Sequence, residues 1–329
     1  MRDFEPAWLL RGRHLQSVLA SSGLRRRRIL PQAAAMLLAS RDEILDCGGG
    51  VRLLAHHAPP RGPASGRTAV LIHGWEGSGD ANYMLASGAA LWAAGYRVFR
   101  LNLRDHGDSH HLNREMFHSC RLAEVVGAVA RIQSRYPQDR LFLGGYSLGG
   151  NFALRVAVAA PRAGLRLAAV AAVCPVLDPE ATMYALDRGW AGYRLYFLRK
   201  WRRSLARKQA AFPGHYRFGD LRRFRRLQDM TDYFVREYTE FPDLLSYLRG
   251  YALTGSRLAE LSVPVRMLLA EDDPVIPIAS LEQLARPALL EVQRSRYGGH
   301  CGFIADYRLG SVADGWLVTS FAELGAHSR

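Results

Sequence analysis

The sequence predicts an α/β fold with a mostly parallel, doubly wound sheet and a helical insertion. From residue 68 onward, short apolar runs with strand character alternate with segments of helical periodicity, an order typical of a parallel sheet covered by helices. The alternation stops after residue 177 and resumes near residue 256. At 329 residues, the chain is long enough for one large domain that carries such an insertion.

Each element is placed from its own residue pattern. Two strands at 43–47 and 51–56, joined by three glycines, predict an antiparallel edge to the sheet. The later predicted strands cover 69–72, 96–101, the run that begins at 140, 168–173, 263–270 and 290–296. The predicted helices cover about 83–94, 122–136, 151–160, 281–285 and 312–324.

This pattern divides the chain into a core, a cap and a lead-in. Residues 41–177 and 256–329 are expected to form the α/β core, and residues 178–255 an inserted helical cap. Aromatic residues recur at helical spacing within the cap, for example Trp190, Tyr193, Tyr196, Phe197 and Trp201. Most of them are expected in the core of the insertion, and an exposed remainder is available to line a pocket. Residues 1–40 are expected to be an irregular basic lead-in with a short helical piece and no catalytic group.

The formal net charge of +14 comes from arginine, which clusters at 25–28, 199–208 and 222–226. Clusters of this kind bind phosphate, either in nucleic acid or in lipid headgroups. No nucleic-acid-binding module accompanies them, so nucleic acid is not an expected partner. A solvated, arginine-rich surface is the favoured interpretation, and peripheral contact with an anionic membrane is the alternative. Nothing in the sequence indicates an oligomeric state.

The four cysteines are scattered without C-x-x-C spacing, so neither a zinc site nor a disulfide framework is expected. The first residues lack the basic-then-apolar order of a signal peptide, and no apolar run approaches the length of a membrane span. The expected protein is therefore soluble and cytoplasmic.

The segment Gly145-Tyr146-Ser147-Leu148-Gly149 predicts a nucleophile elbow, because it lies between an apolar strand and a helical run. A serine on such a tight turn is strained, and the neighbouring positions have no room for side chains. The N–H groups at the start of the following helix favour developing negative charge. The competing interpretation is a glycine-rich turn whose serine has no catalytic role.

A serine nucleophile of this kind needs an acid and a histidine later in the chain, each after a strand. Asp273 follows the strand at 263–270, and His300, within Gly298-Gly299-His300, follows the last strand. Their sequence separation of 27 corresponds to about one helix and one strand. His300 would remove the hydroxyl proton and Asp273 would orient the ring. Asp272 is the rival acid, and Asp273 is preferred because a residue before proline is held extended.

Acyl transfer also requires donors for the oxyanion. We expect the backbone N–H of Leu148, directly after the nucleophile, and that of Trp75, in the loop after the strand at 69–72. His73, at the start of the same loop, is expected to bond backbone rather than to act as a second base.

The segment Arg104-Asp105-His106-Gly107-Asp108-Ser109-His110-His111 contains three histidines and two aspartates and raises the question of a metal site. A single loop would have to supply every ligand, and no H-E-x-x-H spacing is present. A loop flanking the reactive serine is therefore favoured, with no metal and no cofactor.

Seven short motifs together resemble one protein family. They lie at 4–6, 14–17, 73–78, 104–109, 145–151, 270–274 and 299–303. The set resembles the α/β-hydrolase superfamily over nearly the whole chain, and more narrowly its YheT-like and EMB8-like abhydrolase-domain branch of esterases and lipases. The resemblance implies the α/β-hydrolase fold, with Ser147 as nucleophile, Asp273 as acid and His300 as base.

The resemblance also implies a serine hydrolase that acts on carboxylic esters. Some members of the family are linked to phospholipids or other acyl lipids. The expected partner is therefore a small-molecule or lipid ester. Two alternatives stay open: an acyltransferase or thioesterase that uses the same three residues, and a non-catalytic protein that binds anionic surfaces through its arginines.

Overall fold

A computed structural model describes residues 4–63 and 65–326. Within these ranges, eight strands form one sheet in the order β1-β2-β4-β3-β5-β6-β7-β8. The strands are β1 (Arg41–Asp46), β2 (Arg52–Ala58), β3 (Arg67–Ile72), β4 (Arg97–Leu101), β5 (Arg140–Tyr146), β6 (Leu167–Val173), β7 (Val265–Ala270) and β8 (Leu290–Ser295).

The predicted α/β class is confirmed. Strand β2 pairs antiparallel with both β1 and β4, and the remaining neighbours pair in parallel. Strands β3, β5, β6 and β7 are almost wholly buried, which explains their continuous apolar sequences, because helices cover both faces of a parallel sheet. The carboxyl ends of these strands therefore form one edge, where loops from distant parts of the chain meet.

Ten α-helices are found in the described part of the chain. They are α1 (Arg13–Ala20), α2 (Gly23–Ala39), α3 (Asn82–Ala93), α4 (Leu122–Arg135), α5 (Leu148–Ala159), α6 (Pro179–Arg188), α7 (Ala191–Ala211), α8 (Leu227–Tyr238), α9 (Leu244–Gly250) and α10 (Val312–Ala326). Helices α4 and α5 cover one face of the sheet, and α2, α3 and α10 cover the other. None of the helices in residues 4–63 and 65–326 is long and apolar enough to cross a bilayer.

The lead-in is more regular than expected. Residues 13–20 form α1, and residues 23–39 form α2, a longer helix that contains the predicted short helical piece. Ser22 caps α2 by accepting a hydrogen bond from the Arg25 N–H at 3.1 Å, and the apolar residues that follow repeat at helical spacing against the sheet. Arg25 is itself buried and pairs with Asp314 at 2.6 Å. The arginine run at 25–28 is thus partly structural rather than wholly solvated.

Helices α6 to α9 lie between β6 and β7 in chain order, within the segment for which a cap is predicted. The domain boundaries themselves stay a prediction. The prediction of a helix near 281–285 is wrong. The chain forms a 3₁₀ turn at Ile278–Gln283 instead. Pro277 and Pro287 flank this stretch, and the residue before a proline is biased away from the helical conformation, which shortens the segment available to an α-helix.

Candidate active site

Ser147 lies on the sharp turn between β5 and α5, with φ 53° and ψ −119°. A non-glycine residue held in this region stores strain. The flanking positions must be glycine because a side chain has no space there. A Cβ at residue 145 would lie 2.2 Å from the carbonyl oxygen of Gly149, and one at residue 149 would lie 2.2 Å from that of Ile72. The turn thus has the strand, strained serine and helix expected from the sequence.

Three predicted residues form one hydrogen-bonded chain. His300 Nε2 lies 2.9 Å from Ser147 Oγ, and His300 Nδ1 lies 2.9 Å from Asp273 Oδ2. With the proton on Nδ1, the ring donates to Asp273 and accepts from the serine hydroxyl. The other Asp273 oxygen accepts hydrogen bonds from the N–H groups of Val275 and Ile276, which fixes the direction of the carboxylate.

Asp272 makes a different contact. Its Oδ1 accepts a hydrogen bond from the N–H of Gly299 at 2.9 Å, so this carboxylate supports the backbone of the histidine loop. Between the two adjacent acids, the one that touches the ring of His300 is Asp273.

Opposing effects act on the pKa of His300. Burial disfavours the charged imidazole, but the Asp273 carboxylate and the adjacent Cys301 sulfur outweigh it and raise the pKa well above 6.5. The Cys301 sulfur lies 3.9 Å from His300 Nε2, whereas the Ser147 hydroxyl is at hydrogen-bonding distance. Of these two nucleophilic side chains, the serine is the better placed to pass its proton to the ring.

The loop after β3 lies against the serine. A Cβ at Gly74 would be 3.1 Å from the Ser147 Cβ, which shows how closely this backbone approaches. Leu148 begins α5, and the N–H groups of Trp75 and Leu148 have no hydrogen-bond acceptor within the described ranges. The structure thus brings both predicted oxyanion donors beside Ser147 with their N–H groups unpaired.

Among the residues that the structure describes, the ring of His73 bonds only backbone, as predicted. Its Nδ1 contacts the Gly74 carbonyl oxygen at 2.7 Å, and its Nε2 accepts from the N–H of Leu103 at 3.1 Å. Complete burial lowers the pKa of His73 well below its usual value, and the neighbouring His106 lowers it further. A neutral ring with both nitrogens occupied organises the loop and has no free nitrogen to act as a base.

The loop at 104–111 is held by side-chain contacts with residues outside it. Arg104 binds Glu124 through two nitrogens at 3.0 and 2.7 Å, Asp105 binds Lys208 at 2.8 Å, and His110 contacts Ser204 of α7 at 2.9 Å. In the described part of the chain, no three His, Cys, Asp or Glu side chains are grouped so that they could bind a metal ion. The loop forms one wall of the cavity beside Ser147.

A cavity of about 620 Å³ opens onto Ser147 and His300. Aromatic side chains from the core and from the inserted helices supply much of its wall: Trp75, Phe117, Phe197, Trp201, Tyr247 and Tyr251. The Trp75 ring stacks on the Phe197 ring, with 5.1 Å between the ring centroids, and makes an edge-to-face contact with Trp201 at a centroid distance of 5.4 Å. Phe197 and Trp201 are thereby identified as aromatic residues of α7 that line the cavity, a role that the sequence alone does not assign to individual residues.

Helix α1 supports the loop that carries His300, a role that is not apparent from the sequence. Ser17 Oγ accepts a hydrogen bond from the N–H of His300 at 2.8 Å and donates one to the Arg13 carbonyl oxygen. Gln16 is fully buried, donates to the Ile304 carbonyl oxygen at 3.0 Å and accepts from the Ile304 N–H at 2.7 Å. These two residues hold the loop that carries His300 at two points, His300 itself and Ile304. The motif at 14–17 was the available signal, but nothing in the sequence connected it to residue 300.

Replacing Ser17 by Ala should lower kcat about tenfold with little change in KM, because the part-buried N–H of His300 loses its acceptor and the ring loses part of its orientation. Steady-state kinetics well below the melting temperature measure this effect. A lower melting temperature with unchanged kcat would show instead that Ser17 serves stability alone.

A family model described as the alpha/beta hydrolase fold matches residues 69–307. Among curated proteins, the chain is 28% identical over 225 residues to the dihydrolipoyllysine-residue acetyltransferase component of the acetoin cleaving system of Cupriavidus necator. That match covers 68% of this chain, and the chain spans 57% of the length of that relative.

Solved structures share the fold at low sequence identity. The Pyrococcus furiosus esterase Pf2001 superposes with a TM-score of 0.57 at 14% identity, covering 88% of this chain and 92% of that one. A 2,6-dihydroxy-pseudo-oxynicotine hydrolase superposes with a TM-score of 0.60 at 16% identity, covering 93% and 74%.

Proposed function

The chain belongs to the alpha/beta hydrolase fold family, and from this we propose that it is a serine hydrolase that cleaves carboxylic esters through an acyl-enzyme intermediate. The observation that carries the proposal is the hydrogen-bonded chain from Ser147 through His300 to Asp273 at the wall of a cavity large enough for an acyl group. The narrower YheT-like and EMB8-like assignment is part of the same proposal.

In the proposed mechanism, Ser147 Oγ attacks the ester carbonyl carbon while His300 Nε2 takes the hydroxyl proton. The N–H groups of Trp75 and Leu148 bind the resulting oxyanion. When the intermediate collapses, the ester C–O bond breaks, and His300 returns the proton to the departing alcohol. Water then attacks the acyl-enzyme, again losing a proton to His300, and releases the carboxylic acid and free Ser147.

The cavity wall favours an acyl chain of several carbons. Its aromatic side chains remove methylene groups from water, and each buried methylene contributes about 0.8 kcal/mol. With p-nitrophenyl esters of increasing acyl length, we expect kcat/KM to rise up to about fourfold per added methylene until the cavity is full. Phospholipids of the same acyl lengths test whether a lipid ester is also accepted.

Two protein controls make this assay specific. Ser147→Ala gives the blank for contaminating esterases, and Ser134→Ala, which changes an exposed serine of α4, should behave as wild type. Equal blank-corrected rates for acetate and longer esters would contradict the acyl-pocket assignment. No turnover of any ester above the Ser147→Ala blank would contradict ester hydrolysis itself.

The acetyltransferase name of the Cupriavidus relative favours a second candidate, in which an alcohol or thiol rather than water resolves the same acyl-enzyme. Adding increasing concentrations of an acceptor alcohol or thiol during ester turnover distinguishes the two. Hydrolysis predicts that free acid remains the main product, whereas transfer predicts that the acylated acceptor replaces it.

A further inference from the structure

Large apolar side chains are exposed on two helices beside the mouth of the cavity. On α1, Leu15 and Val18 lie on the side opposite to the buried residues Gln16, Ser17 and Ala20. At the start of α7, Leu195 is 63% exposed and Tyr196 is 45% exposed. Trp190, exposed by 50%, extends this set. We call these five residues the rim.

The two helices of the rim are in contact and border one opening. His14 Nδ1 of α1 lies 3.0 Å from the Tyr193 hydroxyl of α7, and the His14 ring lies 5.3 Å from that of Trp190. Ala20, at the end of α1, and Tyr196 both line the cavity. The exposed apolar side chains therefore flank the entrance on two sides rather than being scattered over the surface.

The rim is surrounded by positive charge that the fold does not neutralise. Within residues 4–63 and 65–326, five arginines on α1, α2 and α7 have neither a carboxylate at ion-pair distance nor a side-chain hydrogen bond: Arg13, Arg27, Arg28, Arg199 and Arg203. The nearby acid Asp80 is paired with Arg100 at 2.8 Å. Apolar side chains among unpaired arginines match the composition of surfaces that bind anionic lipid, because the chains enter the interface while the cations contact headgroups.

We propose that the rim docks on the surface of an anionic lipid bilayer, with the cavity mouth facing the lipid. The charge favours lipid headgroups over a second copy of this chain, because two copies of the same cationic rim would repel each other. The docking depends on the surface of α1 and α7 and does not require the proposed chemistry, so it can be tested with lipids that contain no ester.

Ether-linked phosphatidylcholine vesicles, with and without ether-linked phosphatidylglycerol, provide that test. The full-length protein should sediment with the phosphatidylglycerol vesicles at low salt, and bind phosphatidylcholine alone at least tenfold more weakly. Raising the salt concentration should weaken the binding, because exposed charges are screened. Failure to bind the anionic vesicles would overturn the proposal while leaving ester hydrolysis untouched.

Matched variants locate the binding surface. Leu15→Ser with Leu195→Ser should weaken vesicle binding about tenfold, and Arg199→Gln about fivefold. The control pair, Leu38→Ser with Ile44→Ser, changes side chains exposed by 88% and 57% at the far end of α2 and on the edge strand β1, and should bind as wild type. All variants should keep wild-type turnover of a water-soluble ester.

Two results would overturn the assignment of the rim. One is an equal loss of vesicle binding in the control pair. The other is a concentration-dependent dimer in sedimentation velocity that the Leu15→Ser, Leu195→Ser pair abolishes, which would make the rim an interface between copies of the chain.

Discussion

Replacing Asp273 by Asn is expected to lower kcat about 10,000-fold. The Asp273 carboxylate accepts from His300 Nδ1 at 2.9 Å and so keeps Nε2 free to take the serine proton. An amide can instead donate to Nδ1, which favours the opposite tautomer. Asp272→Asn should cost no more than about tenfold, because Asp272 bonds the Gly299 N–H and positions only the loop. Equal, modest losses in both variants would contradict the assignment of the acid.

The pH dependence gives this prediction a second readout. His300 must be neutral to accept a proton, and its pKa is raised well above 6.5 against the effect of burial, chiefly by Asp273. The rate of the wild-type enzyme should therefore rise with pH through a midpoint above 6.5. The residual activity of Asp273→Asn should show its midpoint at lower pH, because burial then acts on the ring without the opposing carboxylate. An unshifted midpoint would mean that another group controls this limb.

Replacing Lys208 by Met should lower the free energy of unfolding by about 3–5 kcal/mol. Lys208 lies on α7 with its side chain only 1% exposed, and its ammonium group donates to Asp105 at 2.8 Å and to the carbonyl oxygens of Asn113 and Glu115. Methionine fills similar space but leaves the Asp105 carboxylate buried without its cation. Urea unfolding followed by circular dichroism measures the change.

The neighbouring ion pair supplies a matched control. Arg207 of α7 binds Asp108 of the same loop, but the two side chains are 55% and 84% exposed. Exposed pairs of this kind contribute less than about 1 kcal/mol, so Arg207→Gln should be nearly neutral. Similar losses in Arg207→Gln and Lys208→Met would mean that contact between α7 and the loop, rather than the buried charge pair, provides the stability.

The sequence was sufficient for features that depend on local pattern. The glycines around Ser147 predicted the elbow because a tight turn excludes side chains from those positions. The order of Ser147, Asp273 and His300 predicted one site because parallel strands end at the same sheet edge. Proline after Asp273 pointed to the acid that contacts the ring.

Features that depend on packing between distant segments were not accessible. Ser17 supports His300 across 283 residues of chain, and no local pattern records that contact. The burial of Arg25 and Lys208 was also not predicted. A run of basic residues indicates a solvated surface unless the carboxylate that pairs with each residue is known. The spacing of the aromatic residues in α7 predicted a helix but did not indicate which side of the helix faces the cavity.

Active-site labelling tests the central claim, that Ser147 is a nucleophile activated by His300. Incubation with a fluorophosphonate, followed by mass spectrometry of the intact protein and of its peptides, should give one adduct per chain, located on Ser147. The Ser147→Ala protein should give none. Absence of an adduct on the folded wild-type protein, or equal labelling of Ser147→Ala, would contradict the account.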